Sequence, residues 1–114
     1  TMLAVVSAGR GLLYAGVYRS TARGLRRSGE FLTLTAEELA DTAAQLGSAP
    51  LVCGELEPAV IDSLHIATPA TVRLASPAAR LRRAAFVGEL GLWELVTRGP
   101  ADPASLQPIY LRRG

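Results

Sequence analysis

The chain has 114 residues, 49% of them hydrophobic and 19% charged, with a formal net charge of +2. That length is one domain with a modest core, and that balance excludes a chain disordered throughout. A charge of +2 is too small to argue for nucleic acid by itself. All twelve basic residues are arginine, which fits the codon bias of a GC-rich genome. The sharper reading, a phosphate site, lacks any motif that gathers the arginines. A single cysteine, Cys53, cannot close an internal disulfide, so a reducing cytoplasm is the expected compartment. No apolar run reaches transmembrane length, and no signal peptide is visible. Met2 stands behind Thr1, so the chain is expected to be cut from something longer or to carry a tag remnant.

Residues 2–7 (MLAVVS) are an apolar run that reads as a buried strand. Ala8-Gly9-Arg10-Gly11 is a turn signal. Residues 12–19 (LLYAGVYR) are rich in β-formers and place Tyr14 and Tyr18 on one face if extended, so the two runs read as a hairpin. Residues 20–29 are polar and arginine-rich and read as a loop; residues 30–34 (EFLTL) alternate and read as a third strand.

Thr35 opens a helix, because Thr35 and Glu38 have the capping-box spacing. Ala36, Leu39, Ala40, Ala43 and Leu46 share one face of it, and Gly47 stops it. Residues 51–54 (LVCG) read as a short buried strand, Pro58 as the first residue of a helix to about Leu64, and residues 72–75 (VRLA) as another strand. Ser76-Pro77 predicts a long helix running to about Thr97, with Leu81, Ala84, Ala85, Leu92, Leu95 and Val96 forming much of an apolar face. Gly88 and Gly91 weaken that helix and fit either close packing against a neighbour or tolerated surface positions. Gly99-Pro100 ends it, and a proline-rich tail closes on an extended apolar tip, Ile109-Tyr110-Leu111. There is no internal repeat or low-complexity segment. Periodicity alone gives a mixed α/β domain; three antiparallel strands followed by alternating helices and strands is the ribonuclease-H-like plan, half of the actin-like (ASKHA) two-lobed architecture.

A reactive centre is not legible. One histidine, His65, and one thiol, Cys53, exclude the usual zinc site, and neither has a partner at a recognised spacing. Cys53 reads as a small buried apolar residue. The Ala8–Gly11 turn lacks the following helix that a phosphate loop needs. Glu55 and Glu57 precede a helix and read as favouring its positive end; Asp102 reads as a turn former. Arg80 and Arg83 share a face of the long helix, with Arg82 pointing elsewhere, and could form either a solvated face or a docking patch for an acidic partner. No aromatic residue interleaves with the arginines, so a single-strand nucleic-acid platform is poorly supported.

Three segments, in order, are similar to one family. Residues 7–19 (SAGRGLLYAGVYR), the helix opening Pro77-Ala78, and the close Leu106-Gln107-Pro108-Ile109-Tyr110-Leu111-Arg112 resemble the C-terminal lobe of the TsaB (YeaZ) proteins, a glycoprotease-like group with the actin-like fold. The first segment matches at Ala8, Arg10, Gly11, Tyr14, Tyr18 and Arg19; Ser7 and Leu12 stand where the family has aspartate and glutamate. The resemblance covers almost the whole chain and implies one domain, residues 1–114, forming the second lobe of a two-lobed protein whose N-terminal lobe, with its Asp-Thr-Ser-type first strand, has no counterpart here. It implies a non-catalytic subunit in making the threonylcarbamoyladenosine of tRNA, acting beside a TsaD-like subunit and a TsaE-like ATPase, with tRNA met only indirectly. No catalytic, cofactor or metal residue carries over. The positions expected to serve structure or a partner are Arg10, Tyr14, Tyr18, Arg80, Arg83 and Tyr110, the tyrosines as anchors with a ring to bury and a hydroxyl to satisfy. Self-association, as a dimer, is expected, because a missing lobe leaves apolar surface uncovered. The rival readings are a glycoprotease-type hydrolase and an arginine-dependent tRNA-binding module using residues 19–27 and 80–83.

Overall fold

The computed structural model describes residues 1–47, 49–67 and 72–112. It is a mixed α/β domain built on a mixed sheet. Strands β1 (Met2–Gly9) and β2 (Leu12–Thr21) form the antiparallel hairpin read from the sequence. Gly9, Arg10 and Gly11 all turn through positive φ, and the ladder shifts register between Ser7 and Gly9. Glycine takes that conformation freely, which is why two glycines flank Arg10 there.

The stretch expected to be a loop, residues 20–29, is corrected: β2 runs on to Thr21, and β3 (Gly24–Arg27) pairs back against it. Polarity hid the hairpin, because every side chain of β3 faces water and an exposed ladder needs no apolar alternation. β4 (Leu32–Leu34) pairs with an earlier stretch of β2, on the same edge as β3. Together they make one interrupted third strand, with the Ser28 N–H still donating to the Val17 carbonyl at 2.8 Å and Gly29 at φ 80° in the break.

α1 (Ala36–Gln45) starts at Thr35 with the capping box formed on both sides: the Thr35 hydroxyl accepts from the Glu38 N–H, and the Glu38 carboxylate accepts from the Thr35 N–H at 2.7 Å. Two orphan donors are thereby satisfied. β5 (Leu51–Gly54) lies parallel to β1, α2 (Pro58–Ala67) follows, and β6 (Arg73–Leu74) lies parallel to β5. The strand order is β3-β2-β1-β5-β6. The core fills one face of this sheet: Leu3, Val5, Leu13, Ala15, Val17 and Val52 from the strands meet Leu39, Ala40, Ala43, Val60 and Leu64 from α1 and α2.

The long helix expected over 76–97 is broken. Pro77–Arg80 make only a 3₁₀ turn, Leu81 and Arg83 are extended, and α3 spans Ala84–Arg98. Ser76 makes no side-chain cap, whereas Arg82 pairs with Glu55 and the Arg83 guanidinium donates to the Ala78 carbonyl at 2.9 Å. These contacts fix the segment between the two helical pieces and override a local start signal. Arg80 and Arg83 therefore do not share a helix face, and Leu81 is not on the helix at all.

Candidate protein-binding surface

Side chains of a strand alternate between two faces, so a strand apolar at both parities is built to be covered on both. β1, β2 and β5 are of this kind. Leu3, Val5, Leu13, Ala15, Val17 and Val52 point to the core. Ala4, Val6, Tyr14, Gly16, Tyr18 and Cys53 point the other way and, with Phe31, line an apolar groove of about 320 Å³. Among the described residues no α-helix covers this second face; the segment from Ala79 to Arg82 borders it. The Phe31 ring lies over Gly16, where a Cβ would meet the ring at 3.2 Å, and the Arg27 guanidinium stacks 4.3 Å from the centroid of the same ring. Tyr14 and Tyr18 share this face as expected, each half-buried. The Tyr14 hydroxyl donates to the Leu111 carbonyl at 3.5 Å, which brings the tail back to the sheet.

α3 is the second half of the surface. It has no buried residue. Phe86, Val87, Leu90, Leu92, Trp93, Leu95 and Val96 are all exposed and spread around the whole circumference of the helix. A helix apolar all round belongs in an interior. The apolar face expected from Ala84, Ala85, Leu92, Leu95 and Val96 thus exists, but among the described residues nothing buries it. Gly88 and Gly91 face open space rather than a neighbour. Tyr110, expected as an anchor, is 83% exposed, and its ring is not buried by this chain.

Between the two lies a cleft of about 980 Å³ at the carboxyl ends of β1 and β5, where open α/β sheets place ligands. Glu55 organises it. Gly54, at φ 107°, lets β5 press so close to β1 that a Cβ would overlap the Val5 carbonyl oxygen at 2.0 Å. The Glu55 N–H then donates to Val5 at 2.9 Å, and its carboxylate accepts from the Ser7 N–H at 3.2 Å and pairs with Arg82. Glu55 was read as serving the positive end of α2; instead it ties the segment before α3 to the sheet. Nothing in the sequence spacing signals this, because Ser7, Glu55 and Arg82 meet only through the parallel crossover. Arg80, half-buried, lines both the cleft and the groove. Arg83 stands exposed at the start of α3, 6.0 Å from the Phe86 ring centroid. Arg10 stands exposed on the β1–β2 turn.

The remaining candidates are scattered. His65 is exposed in the last turn of α2. Burial pushes the Cys53 thiol up, away from the thiolate a nucleophile needs. Among the described residues, no three His, Cys, Asp or Glu side chains gather as a metal ion would require, and no helix is long and apolar enough to cross a membrane. Asp102 caps the 3₁₀ turn Pro103–Ser105, accepting from the Ala104 N–H at 2.9 Å. On the β2–β3 hairpin, Arg19 and Arg26 are direct cross-strand partners, with Arg23 at the turn. No protein-family model matches the chain, and no curated protein matches it.

Proposed function

We propose that the chain is a non-catalytic protein-binding lobe, the C-terminal lobe of a TsaB-like subunit that acts in the cytoplasm in tRNA threonylcarbamoyladenosine modification by holding a TsaD-like subunit. The observation that carries the binding role is α3, a fifteen-residue apolar helix without one buried side chain. The family reading rests on the resemblance of residues 7–19 and 106–112. The architecture is compatible with it: an antiparallel trio, β1, β2 and the interrupted β3/β4, followed by two parallel crossover strands, fits the order expected of a ribonuclease-H-like lobe. Titrating the chain with a purified TsaD-like subunit should give a stoichiometric complex by calorimetry, and Trp93→Glu should weaken it at least tenfold. Peptide cleavage or ATP turnover by the chain's two-lobed parent without that subunit would sink the proposal.

The arginine hairpin favours a second reading. Like charges directly opposite each other on a ladder are destabilising, so Arg19 facing Arg26 fits a contact with phosphate. A tRNA gel shift that fades as salt rises, and that Arg26→Ala weakens, would support it; no shift at low salt would remove it.

A further inference from the structure

We propose that the outer edge of β3 takes up an acidic extended segment of another protein as an added strand, a contact separate from the α3 surface. β3 ends the strand order β3-β2-β1-β5-β6, and among the described residues β2 is its one ladder partner. All four of its residues are exposed. Tyr18 faces Arg27, Arg19 faces Arg26 and Ser20 faces Leu25. One step further along this ladder, the Ser28 N–H donates to the Val17 carbonyl at 2.8 Å. Hydrogen-bonded and unbonded pairs alternate in an antiparallel ladder. The Arg19–Arg26 pair is therefore bonded, and Leu25 and Arg27 are the two residues whose N–H and C=O turn away from β2. An unpaired edge of this kind is a template for a further strand.

The side chains select the occupant. Val17 points to the core, so Arg19 and Arg26 stand on that side of the sheet, where both are exposed. Arg23 stands exposed at the turn, and among the described residues Arg19, Arg23 and Arg26 make no ion pair. A strand laid beside β3 sets one side chain directly opposite Arg26. A carboxylate there pairs with Arg26 and relieves its repulsion from Arg19. Leu25, 54% exposed, stands on the other face and suits an apolar residue next in the added strand. The segment that fits thus alternates acidic with apolar residues. A second copy of this chain does not fit, since β3 against β3 brings arginines together. Phosphate fits the arginines but not the edge, because the Leu25 and Arg27 carbonyl oxygens project there and acceptors repel one another. Extended backbone answers both the N–H and the C=O groups.

A fluorescently labelled, end-blocked peptide of alternating glutamate and valine should gain anisotropy on titration with the full chain. The same peptide with lysine for glutamate should not. Hydrogen exchange at the Leu25 and Arg27 amides should slow by about tenfold or more at saturation. Leu25→Pro deletes an outward N–H and leaves the bonds to β2 in place, so it should weaken the peptide by about tenfold or more. Should that variant not fold, N-methylation of the valines tests the same bonds on the unaltered chain and should abolish binding. Arg26→Ala should weaken the peptide more at low salt than at high salt. Trp93→Glu, which tests the α3 surface, should leave it unchanged. Peptide binding that survives both N-methylation and Leu25→Pro is charge attraction without an added strand, and overturns the proposal. So does a tRNA shift with no uptake of the peptide, which gives the hairpin to RNA. Uptake of neither leaves the arginines as guards against strand pairing; the proposal then falls, while the α3 reading stands on its own titration.

Discussion

The two faces of the sheet are made of similar side chains and live in different circumstances. On one, Leu3, Val5, Leu13, Ala15, Val17 and Val52 are covered by α1 and α2 and lie within 8% of full burial. On the other, Ala4, Val6, Tyr14, Tyr18 and Cys53 are only half-covered, and the apolar helix α3 has no buried residue. Burial contributes roughly 25 cal/mol per Å² of apolar surface removed from water. The first face is therefore where the stability of the chain resides, and the second is where free energy is left for association. The difference teaches that apolar composition identifies surfaces to be covered but not what covers them.

The comparison breaks most completely at Gly54. Gly54→Ala puts a methyl into the Val5 carbonyl at a positive φ, and should cost about 3 kcal/mol or more and leave no cooperative thermal transition. Leu39→Ala removes a fully buried side chain from the covered face and should cost about 2–5 kcal/mol in urea unfolding. The same change at Leu90, 65% exposed on α3, should cost the protomer under about 0.5 kcal/mol while weakening association. Equal losses at Leu39 and Leu90 in a monomer would erase the distinction between the faces.

Smaller effects sharpen it. Thr35→Ala removes one side of the capping box and should cost about 1 kcal/mol, measured by the urea midpoint. Glu55→Gln breaks a pair whose side chains are 37% and 71% exposed, so its cost should stay under about 1 kcal/mol. Its signature is instead faster hydrogen exchange around Arg82 and α3. The smallest effect is at Cys53. Its thiol is held neutral by burial, so its share of stability is complete below the ordinary thiol value of 9.0 and is lost as pH rises through the higher folded value. A Cys53→Ser variant should flatten that alkaline decline in denaturation midpoints.

Much of the fold was legible in the sequence because its signals are local. The capping box at Thr35, the LVCG strand, Pro58 at the start of α2, the glycine turn and the Gly99 stop all depend on residues within a few positions of one another. The β2–β3 hairpin was missed because a strand wet on both faces carries no apolar period. The long helix was placed seven residues too early, its first residue at Pro77 rather than Ala84, because its true start is set by Glu55 reaching Arg82 across the sheet. The sequence by itself determined which residues seek burial and where the chain turns. Only the tertiary structure decided that Ser7, Glu55 and Arg82 would meet, that Gly54 would be indispensable, and that one apolar face would be closed while the other stayed open. The physical reason is range: caps and turns act within one turn of chain, whereas ion pairs and packed faces join residues that the crossover connections alone bring together.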